Sequence, residues 1–308
     1  MLTEFRRSQK LMGNSFEITV VDTSEKCASE HIDATIAEIQ RIEQLLSTYK
    51  EDSQTSMINR DAGLRPVVVD AEVYNLIDRS LRISQITDGY FDISYGGIDK
   101  RLWNFDKEMN ALPDPAVIKE NLKLVNYRNI VLDPKKKTVF LKEKGMRIGF
   151  GGIGKGYAAE MGKRLLQQRG VRSGVVNASG DLTVWGCQAD GKPWTIGIAN
   201  PDCANLPFSY LSMSDMAIAT SGNYEKYVLI GGKRYSHTID PKTGVPVSGI
   251  KSVTIICPNA EIADAMTTPV AIMGIDAAMD LINQIAQVEC IIIDDNNSIY
   301  TSKKINLK

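Results

Sequence analysis

The sequence predicts an α+β fold, and three observations carry that reading. Paired amphipathic helical stretches stand near both ends of the chain. Between them, short β-branched runs fall into hairpin-like pairs instead of single strands each followed by a crossover helix. No Pro/Ser-rich linker divides the chain, so residues 1–308 read as one domain with a sizeable core, and the recurring helix-rich stretch suggests an internal duplication.

The elements follow in order. Residues 14–21 alternate aromatic and β-branched side chains as a strand does, after Met12-Gly13. Residues 25–46 form a long amphipathic helix with Ile32, Ile36, Ile39, Ile42, Leu45 and Leu46 on one side. Residues 47–60 read as a polar loop. A second helix spans 71–87 (Val73, Leu76, Ile77, Leu81, Ile83) and stops at Asp88-Gly89, a C-cap signal. Residues 90–105 are rich in aromatics without a clean period, as a ligand-facing loop is. A hairpin joins 129–133 to 138–142 around Pro134 and three lysines. A helix follows at 157–168, then strands at 174–177, 182–185, 194–198, 210–213, 216–219, 227–230 and 253–257. Helices at 262–273 and 277–286 precede strands at 290–293 and 299–301.

Composition excludes several function classes. With 36 basic against 37 acidic side chains the net charge is -1, which gives no electrostatic case for nucleic acid or an anionic membrane. No apolar run approaches the ~20 residues of a membrane span. The N-terminus has no apolar signal region, so the expected compartment is the cytoplasm, or the periplasm if a signal once preceded Met1. Five scattered cysteines contain no C-x-x-C pair and give no zinc site, and two histidines, His31 and His237, are too few for a multi-histidine metal centre.

The densest motif is Gly149-Phe150-Gly151-Gly152-Ile153-Gly154-Lys155-Gly156-Tyr157. Bare backbone, a lysine and a helix start together suit a phosphate. Gly149, Gly151 and Gly154 match G-x-G-x-x-G, but the next strand ends in the amide Asn177 where a dinucleotide fold needs an acid. Gly149, Gly154 and Lys155 match a P-loop except at its last position, where Gly156 replaces the hydroxyl residue that binds magnesium. The stretch is therefore either a ligand loop of another kind or a tight turn under a helix.

Two further constellations carry chemistry. Ser236-His237-Thr238-Ile239-Asp240-Pro241-Lys242-Thr243-Gly244 places a histidine at a strand end before a turn, where it can donate to a phosphate, move a proton or simply brace the turn. Ala263-Asp264-Ala265-Met266-Thr267-Thr268 puts Asp264 and Thr268 on one helix face at i and i+4. These hard oxygens suit Mg²⁺ if a substrate phosphate completes the set; the alternative is an acid favoured by the helix dipole and a threonine bonded back to its own helix. Asn177-Ala178-Ser179-Gly180-Asp181 and Ala219-Thr220-Ser221-Gly222-Asn223-Tyr224 read as small-residue turns after strands, open to a ligand or simply connecting hairpins.

Taken in order, Met12-Gly13, Leu46-Ser47-Thr48-Tyr49, Phe91-Asp92, Leu102-Trp103-Asn104-Phe105, Gly152 to Tyr157, Thr220-Ser221-Gly222, Ser236 to Pro241 and Ala263 to Thr268 resemble the ApbE-type FAD:protein FMN transferases, from Met12 to about Gly274. The resemblance implies a tandem pair of T-fold-like units and an enzyme that uses Mg²⁺ and FAD. Such an enzyme attaches FMN to a threonine or serine hydroxyl of an acceptor flavoprotein and releases AMP. It implies magnesium on the Asp264 carboxylate, the Thr268 side chain and the Gly152 carbonyl. It implies an FAD site lined by Met12, Tyr49, Tyr90, Phe91, Asp92, Lys155 and His237, with Thr238 beside the histidine. Lys155 and His237 would steady phosphate oxygens, and Asp264 would orient or deprotonate the incoming hydroxyl. Rival readings are a magnesium-dependent FAD pyrophosphatase and a non-catalytic FAD-binding protein. One position departs from the pattern: many members carry an aspartate where Gly149 stands.

Overall fold

The computed structural model describes residues 1–97, 102–103, 109, 111–200, 203–222, 227–231 and 233–305, with the side chains of 199–200, 203–208 and 233–234 left aside. Asn104, Phe105, Asn223 and Tyr224, singled out in the sequence, lie outside the described residues.

The chain opens with β1 (Thr3–Leu11) and β2 (Asn14–Asp22), followed by α1 (Glu25–Leu46). Next come α2 (Gln54–Arg60), β3 (Val67–Val68), α3 (Ala71–Ile86), α4 (Pro115–Leu122), β4 (Ile130–Asp133), β5 (Thr138–Leu141) and α5 (Gly154–Gln168). The middle is a set of hairpins: β6 (Gly174–Ala178) with β7 (Asp181–Trp185), then β8 (Trp194–Asn200) with β9 (Cys203–Met213). β10 (Met216–Gly222) and the ribbon of β11 (Tyr227–Ile230) and β12 (Lys233–Ser236) follow. The chain closes with β13 (Ile250–Cys257), α6 (Ala260–Met273), α7 (Ile275–Ile282), β14 (Glu289–Asp294) and β15 (Ile299–Thr301).

An eight-stranded sheet in the order β1-β2-β6-β7-β10-β13-β14-β15 forms the spine, antiparallel at every junction. Its two four-strand halves share one plan, a strand pair, then helices, then a second strand pair. The first half carries the longer insertion between its pairs, α1 through α5 with the small sheet β3-β5-β4. The halves meet where β7 pairs with β10, Val184 opposite Met216 and Leu182 opposite Ile218.

Alternation along the strands fills both faces of the sheet. Phe16, Ile18, Val20, Val176, Val253, Ile255, Cys290 and Ile292 pack beneath the helices, against residues such as Ile39, Ala158 and Val270. Val21, Val184, Ile218, Ile256 and Ile291 point the other way, onto Trp194, Ile198 and Met213 of the β8–β9 hairpin. A period of two thus builds a sheet covered on each side, which is why these strands read as nearly continuous apolar runs.

Several elements differ from the sequence reading. β1 was not expected, because it is an edge strand whose Arg6, Ser8, Gln9 and Lys10 stay in or near solvent. The loop expected over 47–60 contains α2, whose N-cap Ser53 accepts from Ser56 N–H at 2.9 Å. α4 begins at Pro115 behind the cap Asp114, which accepts from Ala116 N–H at 2.8 Å. Thr220-Ser221-Gly222 continues β10 instead of turning, and Thr220 Oγ1 bonds Thr254 Oγ1 at 2.9 Å. Among the described residues no helix is long and apolar enough to cross a membrane.

Candidate active site

The glycine-rich stretch is a turn feeding α5. Phe150 C=O accepts from Ile153 N–H at 3.2 Å and Gly154 N–H at 2.7 Å, so the helix begins at Gly154, three residues before the expected Tyr157. Its own N-cap, Ile153, has no side-chain oxygen to offer. The cap comes from another helix: Asp264 Oδ2 on α6 accepts from Gly156 N–H at 2.9 Å, and Lys155 N–H also bonds this carboxylate. The alternative to the metal reading put Asp264 in the dipole of its own helix, whereas the first turn it bonds belongs to α5.

Gly156 explains why the P-loop match fails. A β-carbon there would fall 2.2 Å from Ala260 C=O oxygen and 2.6 Å from Asp264 Cβ. The α6 backbone occupies the place a serine or threonine would need, so glycine at this position is the condition for the two helices to cross.

Asp264 is only 4% exposed. Burial pushes its carboxyl up to about 7; the nearby Asp181 carboxylate adds to the rise, while Lys155 and the two N–H groups oppose it. Lys155 Nζ forms an ion pair with Asp181 Oδ2. Asp181 is 3% exposed and opens β7 directly after a turn in which Ser179 and Gly180 both take positive φ, 58° and 101°. Asn177 Oδ1 holds that turn by accepting from Gly180 N–H at 2.8 Å.

The sequence missed Asp181 as a member of the site. The available signal was an acid at the start of a strand whose five residues are all buried, since such an acid needs a charged partner. Thr267, not Thr268, is the threonine bonded back to its helix, with Oγ1 donating to Asp264 C=O at 2.8 Å. Thr268 lies elsewhere: a β-carbon on Gly152 would stand 3.6 Å from Thr268 Oγ1 and 3.7 Å from Phe91 Cε2. Gly152, Phe91 and Thr268 are therefore neighbours, and Asp264 and Lys155 adjoin them at the start of α5.

Met12 reaches the same place. With Gly13 it forms the two-residue turn of β1–β2, both at positive φ, 51° and 76°, a backbone that costs a methionine energy. Its Cε comes within 3.7 Å of where a β-carbon of Gly154 would be. Thr48 borders Gly149 at 3.6 Å measured the same way, so a β-carbon at the bare position would make only ordinary contact. Tyr49, one residue on, is 85% exposed.

The remaining residues gather on another corner. Asp92 is taken up by its own loop: Oδ1 accepts from Ser94 N–H and Ser94 Oγ, and Oδ2 from Tyr127 N–H at 2.8 Å. Burial still raises its carboxyl against those bonds. Lys242 of the Asp240–Gly244 turn sits 3.7 Å from the Tyr90 ring centroid and bonds Asp88 at 2.8 Å. This joins the turn that follows His237 to the loop that carries Phe91. Thr238 is buried, and its C=O accepts from Val247 N–H at 2.9 Å; His237 is exposed. Among the described residues, no group of three or more His, Cys, Asp and Glu side chains could hold a metal without other donors.

Fold and site define a class, an antiparallel α+β protein whose buried acids and lysine meet where two helices cross. The chain belongs to the ApbE family, whose model matches residues 12–292. The FAD:protein FMN transferase of Klebsiella pneumoniae (strain 342) is 30% identical over 303 residues, covering 98% of this chain and 92% of that protein. That of Salmonella typhimurium is 31% identical over 281 residues, 89% of this chain and 80% of that one. The solved structure of the Thermotoga maritima ApbE protein superposes with a TM-score of 0.87 at 30% identity, covering 98% of this chain and 97% of that one.

Proposed function

We propose that this chain is a magnesium-dependent FAD:protein FMN transferase that joins FMN to a threonine or serine hydroxyl of an acceptor flavoprotein and releases AMP. The observation that carries the reading is the meeting of Gly152, Lys155, Asp264 and Thr268 at the start of α5, in a chain matched nearly end to end by proteins of that name. The sheet plan, with its strand pair, helices and strand pair repeated, supports a tandem of T-fold-like units.

The donor set fits magnesium. A carboxylate, a hydroxyl and a main-chain carbonyl are hard oxygens, and one carboxylate with few neighbours leaves positions for water and a diphosphate. Gly152, Asp264 and Thr268 would hold the ion, which when bound draws charge from the diphosphate as it is cleaved. Every other task falls to the chain. Lys155, aimed by Asp181, lies beside Asp264 to bind a phosphate oxygen. Met12, Phe91 and Tyr90 supply apolar and aromatic surface for the flavin and adenine rings, and Tyr49 is exposed to cover one of them. His237 and Thr238 would close the site from the β12 side. The acceptor hydroxyl oxygen bonds to the FMN phosphorus, the bond to the AMP oxygen breaks, and Asp264 takes the hydroxyl proton.

Incubation with FAD, Mg²⁺ and an acceptor domain tests this. The expected product is fluorescent acceptor surviving denaturing electrophoresis, with equimolar AMP. Free FMN and AMP, formed equally fast without acceptor, would mark a pyrophosphatase; FAD that stays intact in magnesium would mark a binding protein.

A further inference from the structure

Behind the site, α3 holds the first turns of both helices that build it. Glu72 and Arg79 stand seven residues apart, two turns along one face of α3. Glu72 Oε1 accepts from Tyr157 OH at 2.6 Å, which fixes α5 two residues beyond Lys155. Arg79 grips Glu261 with both arms, Nε to Oε1 at 2.6 Å and NH2 to Oε2 at 3.0 Å, which fixes α6 one turn before Asp264. The Arg79 guanidinium also lies 5.7 Å from the centre of the Tyr157 ring, so the two attachments touch. From α1, Arg41 locks Glu72 in place with bonds of 2.7 and 3.0 Å.

We infer that Glu72 and Arg79 are positioning residues: through Tyr157 and Glu261 they set how α5 and α6 face each other, and so the separation of Lys155 and Gly152 from Asp264 and Thr268. The argument is geometric. At Gly156 the two helices touch with no room to spare, so a change in their relative tilt opens or closes the Asp264 end directly. One planar, two-armed contact to α6 and one hydroxyl bond to α5, both from the same helix, restrict tilt as well as distance, which a point contact between apolar side chains does not. Glu261 is itself buried, so its carboxylate is held in one orientation. None of these four side chains bonds the Asp264 carboxylate, whose contacts come from the α5 backbone and its charged neighbours.

This inference rests on the transferase reading, so its test separates the two. The central variant is the double substitution Arg79→Gln with Glu261→Gln, which removes both charges and leaves no buried ion alone. Its kcat for FMN transfer is expected to fall by about tenfold or more, since small misplacements of reacting groups are costly. The KM for FAD is expected to stay within about twofold, because the ring-binding residues sit on other elements. Independently of turnover, the affinity for Mn²⁺, read from the free-ion EPR signal, should weaken by about tenfold. Tyr157→Phe, which deletes one hydroxyl and no charge, should move kcat and Mn²⁺ affinity in the same direction and less far.

A folded double variant with kcat and Mn²⁺ affinity within about twofold of wild type overturns the inference, as does a loss in melting temperature alone. If the double variant does not fold, Tyr157→Phe decides in its place by the same two readouts. Asp264→Asn is the reference: turnover retained there removes the metal reading itself, whereas turnover lost there and intact in the double variant removes only the role given to Glu72 and Arg79.

Discussion

Two clusters of charge meet the same pair of helices, α5 and α6: one half-exposed and bonded to guanidinium groups, the other with its acids buried. Around α3, each acid is bonded to a guanidinium: Glu261 to Arg79, and Glu72 to Arg41, which also bonds Glu38, with Tyr157 donating to Glu72 as well. Against the upward push of burial, the bonds from Arg41 and Tyr157 hold the Glu72 carboxyl below its ordinary value. At the start of α5 two acids, Asp181 and Asp264, crowd one lysine, and the Asp264 carboxyl rises to about 7. The first arrangement is what a fold needs for stability. The second holds a carboxylate in surroundings that resist its charge, which fits the proposed reading of a site that takes up a cation.

The largest test of that contrast is to remove the burdened acid. Asp264→Ala is expected to cut FMN transfer by about a thousandfold or more, since on the proposed reading it takes away both a metal donor and the proton acceptor. FAD affinity, read by fluorescence quenching, should stay within about threefold; near-normal turnover would end the assignment. Next in size is Gly156→Ala, which strikes both clusters by forcing the helices apart. Overpacking at a backbone contact should cost about 2–3 kcal/mol in urea unfolding, with transfer reduced as well. A fully stable Gly156→Ala protein would mean that the crossing has slack.

Lys155→Ala should be milder. FAD affinity is expected to weaken by about tenfold, as a charge-assisted phosphate contact is lost and Asp181 is left buried without this lysine. An unchanged affinity would take Lys155 off the ligand.

The smallest and sharpest test is pH. Asp264 binds its proton more tightly in the folded chain than its ordinary 3.8 allows, so the stability it confers is present below about 4 and is lost as pH climbs to about 7. Glu72 is shifted down from 4.5, so its contribution is present above that value and lost as pH falls through the lower folded one. In chelator, Asp264→Asn should therefore melt about 2–4 °C above wild type at pH 8 and converge with it near pH 4. Glu72→Gln should melt below wild type at pH 8 and converge on acidification. Parallel slopes for the two variants would erase the difference between the clusters.

Much of this was legible in the sequence where a local pattern had a local cause. The isoleucine stripe of α1 and the i, i+4 pair Asp264 and Thr268 stand in the structure as their spacing implied. What escaped depended on distant partners. The cap of α5 lies 108 residues downstream, where no local pattern could announce it. Asp181 looked like a turn residue because its lysine is 26 residues upstream. β1 lacks an apolar period because one side of an edge strand has nothing to bury. The aromatic stretch 90–105 reads as a ligand-facing loop; in its described part Phe91 borders Gly152, but Asp92 is spent on Ser94 and Tyr127.

On the proposed reading, the trans-helix cap also joins parts of the site that are far apart in the chain. Gly152, Lys155 and Asp181 belong to the first half of the fold, which runs through β7, Asp264 and Thr268 to the second, and the halves join at the β7–β10 ladder and where α5 crosses α6. During synthesis the glycine turn and its lysine leave the ribosome long before the carboxylate that completes them. A chain that has made only its first half holds an uncapped helix and an incomplete set of oxygens. On the proposed reading, a product truncated before α6 lacks Asp264 and Thr268 and is expected to carry no transfer activity.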